Sequence, residues 1–224
     1  MFDQLIIGNK ASYDDFGASV ASRSIKPPKK KSIRETVPFS NKTYDFSAIN
    51  GELYWNEQEL EYVCEITADS PEALEEKKSA FAGWVMNVVE AEIIDPYISG
   101  YHFVGTYDGL EFEDEEHLQK TTATLVFVAY PYKIADTATL YEYTLAAGES
   151  KLVNVVNTSS HRITPTLTTD AAIEITIGNA TYKATAGTFN DERFKLAAGA
   201  NALTIKNTAT DECNVALSFF AEVF

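Results

Sequence analysis

Long apolar runs, paired cysteines and clustered histidines are all scarce in this chain, and each scarcity removes a class of function. No uncharged apolar run reaches the ~20 residues that span a bilayer, and the start, MFDQLIIGNKASYDD, lacks the apolar core of a signal peptide. A soluble protein made in a cytoplasm is the expectation. Only Cys64 and Cys213 occur, too few for a disulfide framework. Cys64 alternates with Leu60, Tyr62 and Ile66, the position of a buried, inert thiol. His102, His117 and His161 are the only histidines. Their spacing, without any Cys pair at CxxC distance, gives no metal site. No G-x-S-x-G elbow and no glycine-rich phosphate loop is present. The expectation is therefore no catalytic residue, no cofactor and no metal.

What is abundant is acid. The 224 residues carry 33 Asp and Glu against 18 Lys and Arg, a net charge of -15. Such a chain stays soluble, disfavours specific nucleic-acid binding and repels itself at crowded symmetric contacts. The first 134 residues hold 23 acidic and 12 basic side chains, and the last 90 hold 10 and 6. A 45% apolar and 12% aromatic content is enough for real cores.

The order of elements predicts two domains, 1–134 and 135–224. In the first, Gln4–Gly8 reads as a short strand and Lys26-Pro27-Pro28-Lys29-Lys30-Lys31 as a stiff, solvated basic connector. Strands follow at Thr43–Ser47, Glu52–Asn56 and Glu59–Thr67, with Asn50-Gly51 as a tight turn. In the last of them Leu60, Tyr62, Cys64 and Ile66 share one face and acids the other. A helix is predicted over Pro71–Val89, capped by Asp69 or Ser70, with Leu74, Phe81, Trp84, Val85 and Val88 as its apolar stripe. Glu92–Ile94, Tyr101–Tyr107 and Glu111–Glu113 read as strands, with Asp108-Gly109 as a hairpin turn. Thr121–Tyr130 is apolar on both faces and belongs at the centre of a sheet. One helix on an antiparallel sheet is an α+β domain.

After Tyr130-Pro131-Tyr132-Lys133 helical periodicity stops. Strands are predicted at Leu152–Val156, Ile163–Thr168, Ala171–Ile177, Ala180–Ala184, Arg193–Leu196, Ala202–Lys206 and Asn214–Glu222, the pattern of an all-β sandwich.

Two features invite a chemical reading. Asp108, Glu111, Glu113, Asp114, Glu115 and Glu116 could act as paired carboxylates or hold calcium. The calcium-loop pattern is missing, however, and Glu111 and Glu113 alternate with Leu110 and Phe112 as on a solvated strand face. The sandwich could bind sugar through Tyr141, Tyr143, Tyr182, Phe189 or Phe194, since sugar sites use aromatic platforms. Trp84 reads either as core or as a ligand platform.

IRETVPFSNKTYDFS (33–47), INGELYWNEQELEYVCEI (49–66), DPYISGYHFVGTYDG (95–109) and EDEEHLQKTTATLVFVAYPYKI (113–134) resemble the distal tail protein family of long-tailed, non-contractile bacteriophages. The second half is similar to that family's galectin-like sandwich through Leu196–Asn201 entering Ala202–Lys206, although a glycine would be expected near Asn157–Ser160. The resemblance implies an N-terminal domain that forms a hexameric ring, single or stacked, at the phage tail tip, with DNA passing through its lumen. Its implied partners are further copies of itself, the tail tube protein, the tail-associated lysin or hub protein, and receptor-binding proteins held by the sandwich. The implied location is the virion, and no enzyme activity is implied. Tyr44, Phe46, Tyr54 and Trp55 are candidate subunit contacts, with burial in the domain's own core as the other reading. A carbohydrate-binding module for host adhesion is the alternative function.

Overall fold

A computed structural model of the chain describes residues 3–36, 38–48, 51–115, 117 and 119–224. The expected turn residue Asn50 and the acidic Glu116 lie outside them. The chain is mostly β-structure in antiparallel sheets with two helices among the described residues, and it divides into two compact units at residues 133 and 134.

The first unit contains β1 (Ile6–Ile7), β2 (Lys10–Ala11), α1 (Ser12–Phe16), β3 (Ala18–Ile25), β4 (Arg34–Thr36), β5 (Thr43–Asp45), β6 (Gln58–Thr67), α2 (Pro71–Val85), β7 (Ala91–Ile94), β8 (Tyr101–Glu115) and β9 (Lys120–Ala129). Its main sheet runs β2-β1-β7-β8-β9-β6-β3, every neighbour antiparallel. β9 lies between β8 and β6, as its two apolar faces require. Leu60, Tyr62, Cys64 and Ile66 of β6 and Ala123, Leu125 and Phe127 of β9 are buried on one face, where Leu74, Phe81 and Val85 of α2 pack against them. Ser70 caps α2 by accepting from the Ala73 amide at 3.2 Å, and Pro71 fits the first turn. Trp84 stacks on Phe16 with ring centroids 4.8 Å apart, so it belongs to the core.

Three expectations need correction here. Asp108-Gly109 is not a hairpin turn: Tyr107 pairs with Phe127 and Gly109 with Val126, so Asp108 is the extra residue of a bulge inside one long strand. α2 stops at Val85, four residues early, where Val88 donates to the Val85 carbonyl in a tighter turn. Glu52–Asn56 forms no strand, only an isolated bridge from Trp55 to Lys30. That bridge also revises the Lys-Pro connector, which is one rail of a β-ribbon.

At the boundary lies β10 (Lys133–Ala135). The second unit follows with β11 (Thr139–Leu145), β12 (Ser150–Asn157), β13 (Thr166–Thr169), β14 (Ile173–Ile177), β15 (Ala180–Ala184), β16 (Gly187–Phe189), β17 (Gly199–Asn207), β18 (Cys213–Phe219) and β19 (Glu222–Val223). Two four-stranded sheets, β11-β18-β13-β16 and β12-β17-β14-β15, enclose one core. Leu145, Leu167, Val215 and Leu217 come from one sheet, and Val155, Ile175, Leu203 and Ile205 from the other. This is a β-sandwich. Arg193–Leu196 forms no strand; Leu196 only bridges Ile163.

Candidate functional site

Two surfaces of the first unit stand out. The first is the sheet face turned away from α2. Strand alternation places Glu59, Glu61, Val63 and Glu65 of β6 there, beside Thr122, Thr124, Val126 and Val128 of β9. Glu111 and Glu113 of β8 lie opposite Thr124 and Thr122, and Glu115 opposite Lys120. Lys120 reaches Glu65 at 2.8 Å and Glu115 at 3.9 Å, and Lys26 pairs with Glu59. The Lys120 ammonium is held above its usual range, first by its hydrogen bond to Glu65. Glu61, Glu111 and Glu113 have no cation within ion-pair distance among the described residues. The face is a flat field of carboxylates, hydroxyls and small apolar groups. Glu111, Glu113 and Glu115 are thus a solvated strand face, whereas Asp114 points to the helix side and meets Lys78 at 2.7 Å. No group of three or more His, Cys, Asp or Glu among the described residues is placed to hold a metal ion.

The second surface is an arm. The β3–β6 ladder runs to Ile25 opposite Leu60 and continues outward. The Lys26 amide donates to the Glu59 carbonyl, Asn56 to Lys29, Lys31 to Tyr54 and Phe46 to Ile33, at 2.8–3.1 Å. β4 and β5 then pair from Arg34 opposite Asp45 to Thr36 opposite Thr43. Local side-chain bonds stiffen the ribbon: Ser47 accepts from the Ile33 amide, and Asp45 accepts from the Ser47 amide. Hydrogen bonds from Ser47 hold the Asp45 carboxyl below its usual range.

Tyr44, Phe46, Tyr54 and Trp55 all lie on this arm. Tyr44, Phe46 and Tyr54 are 40–49% exposed, and Trp55 is half-buried. Tyr44 and Phe46 stack with centroids 6.3 Å apart. None of the four belongs to either core, which removes the reading that they are buried in the domain's own interior. Ile33, Phe39 and Leu53 are exposed beside them. Sequence reasoning missed Phe39, although a lone aromatic after Pro38 between two extended runs is a readable hairpin tip.

The histidines sit apart: His102 lies 4.0 Å from Glu92, His161 lies 3.2 Å from Glu222, and His117 follows β8. In the sandwich, Phe194 is fully buried, while Tyr141, Tyr143, Tyr182 and Phe189 pack against the core. Phe194 is thereby closed to a sugar, and the other four rings are only partly accessible.

No protein-family model matches the sequence, and no curated protein matches it. Among solved structures, SPP1 Dit (gp 19.1), described as a paradigm of the hub adsorption apparatus in phages infecting Gram-positive bacteria, aligns with a TM-score of 0.71 at 11% identity. The match covers 98% of this chain and 99% of that one. The chain has the Dit fold. The phage P2 baseplate in its activated conformation is similar at a TM-score of only 0.44 and 8% identity, over 94% of this chain and 100% of that chain.

Proposed function

We propose that this chain is a structural part of a phage tail tip. Its first 134 residues form a hexameric ring, and residues 135–224 form a galectin-like sandwich. The observation that carries the reading is the pairing of a Dit fold over nearly the whole chain with an uncovered acidic sheet face. Turned inward, that face gives a lumen that repels phosphates and lets DNA slide without sticking. The arm's exposed aromatics and main-chain edges supply the contacts between neighbours, with Tyr44, Phe46, Tyr54 and Trp55 among them. Such heterologous contacts close into a ring when the rotation fits. One ring face meets the tail tube protein and the other the hub or tail-associated lysin, with the ring single or stacked in pairs. The sandwich is the seat for receptor-binding proteins, and the protein belongs to the virion after synthesis in the host cytoplasm.

A carbohydrate-binding module remains the alternative function, but no observation favours it over the ring. Light scattering at several protein and salt concentrations tests the proposal. A mass of six or twelve times the 24.7-kDa chain is expected, reached more readily at moderate salt, which screens the carboxylates brought together in the lumen. A strict monomer under every condition contradicts self-assembly of the chain alone.

A further inference from the structure

Phe39 sits at the tip of the arm, fully exposed, on a backbone with φ of 66°. Left-handed backbone is unfavourable for an aromatic residue, and water is unfavourable for its ring. A Gly or Asn would relieve both penalties, so the position is strained and apolar in the manner of a binding contact. Around it the tip is sparsely charged: Lys42 is the only ionisable side chain between Thr36 and Tyr44.

At the opposite end of the unit, a cleft of about 490 Å³ opens between the start of α2 and the end of the β8–β9 hairpin. Pro71 and Leu74 give it an apolar floor, and Glu75, Asp114, His117 and Gln119 form its rim. Glu75 and Asp114 share a single cation, Lys78, at 2.8 and 2.7 Å. The rim therefore keeps an excess of negative charge next to an apolar floor. The arm tip offers the complement, the Phe39 ring three residues from Lys42, whose ammonium lies 4.9 Å above the Tyr44 ring.

A copy's own arm does not reach its own cleft. The arm leaves at the Gln58 end of β6 and continues away from it, while the cleft lies past Thr67, ten residues along that strand. At ~3.3 Å per residue this is ~30 Å before the length of the arm is added.

We infer that Phe39 of one copy docks into the Pro71–Leu74–Glu75–Asp114 cleft of a second copy, with Lys42 meeting the acidic rim. The inference rests on the self-assembly proposed above and assigns its contact. The contact is heterologous, tip to cleft, which is the kind a closed ring requires.

Engineered cysteines test it, because native Cys64 and Cys213 are both buried. Phe39→Cys combined with Glu75→Cys should give a ladder of disulfide-linked multimers under mild oxidation. The two single variants mixed should give linked dimers and nothing larger, and each alone should give none. Phe39→Asp should weaken association by roughly tenfold or more. Phe39→Gly, which suits the left-handed backbone, should lose association equally with no fall in melting temperature. If wild type and Phe39→Asp assemble alike and the double variant gives no ladder, the contact is overturned while the ring stands. If wild type never associates and the double variant gives no ladder, both fall.

Discussion

Three buried asparagines govern the sandwich loops at the residue scale. Asn207 donates to the carbonyls of Leu145, Ala146 and Asp211 and accepts from the Ala209 amide, all within 2.7–3.2 Å. Asn157 holds the His161 and Leu196 carbonyls and accepts from Ser159, which is why the 157–160 turn manages without a glycine. Asn201 does the same for residues 197–199. Asn207→Ala strands these groups, so urea unfolding should show a loss of about 2–3 kcal/mol. Gly105 is a packing requirement of a different kind, since a Cβ there would meet the Ile93 side chain at 3.0 Å and the Val128 carbonyl at 3.2 Å. Gly105→Ala should cost about 1–3 kcal/mol in the same assay. Cys64 was readable as buried from its alternation with Leu60 and Tyr62. Burial pushes its thiol up to about 12, while the unfolded thiol ionises near 9. The unfolded chain therefore loses its proton first, and folding weakens as pH rises from about 9 toward 12, by up to ~1.4 kcal/mol per pH unit from this group. The midpoint of urea unfolding should fall between pH 8 and pH 10.5.

The arm and the long hairpin decide how the elements are used. α2 and β6 were legible because period and burial coincide: the Leu74, Phe81 and Val85 stripe and the Leu60–Ile66 alternation each face one core. The arm was legible only in part. Its residues alternate like strands, yet none of them joins the first unit's core, so pattern alone left Tyr44 and Phe46 open to a core reading. The bulge at Asp108 was unreadable because Asp-Gly is equally a turn signal, and only the pairing of Tyr107 with Phe127 and of Gly109 with Val126 distinguishes the two. β3 escaped notice because ASVASRSI mixes small and polar side chains with few large apolar ones, and β11 because Leu140-Tyr141 and Glu142 break a clean alternation in TLYEYTL. Replacing residues 32–47 with a two-residue turn should leave the melting temperature of the purified protein within a few degrees, since no arm residue joins either core, and should abolish association by light scattering. A large fall in melting temperature would instead place the arm in the fold's own stability.

For the whole molecule, the charge pattern acquires a direction that the composition alone conceals. A net of -15 reads as general solubility until the register places Glu61, Glu111 and Glu113 on one uncovered face and leaves the arm, residues 26–57, with six basic and four acidic side chains. In the proposed ring the two surfaces would serve opposite needs, repulsion within and attachment between neighbours. The proposed ring comes from resemblance alone, because nothing in periodicity or spacing encodes symmetry. The central claim is that the acidic face lines a closed channel, and electron-microscopy class averages of the assembled protein test it most directly. With Glu111→Cys carrying a gold label, the account predicts rings with an open centre and the label inside it. Labels around the outer rim, or open filaments without a channel, would contradict it.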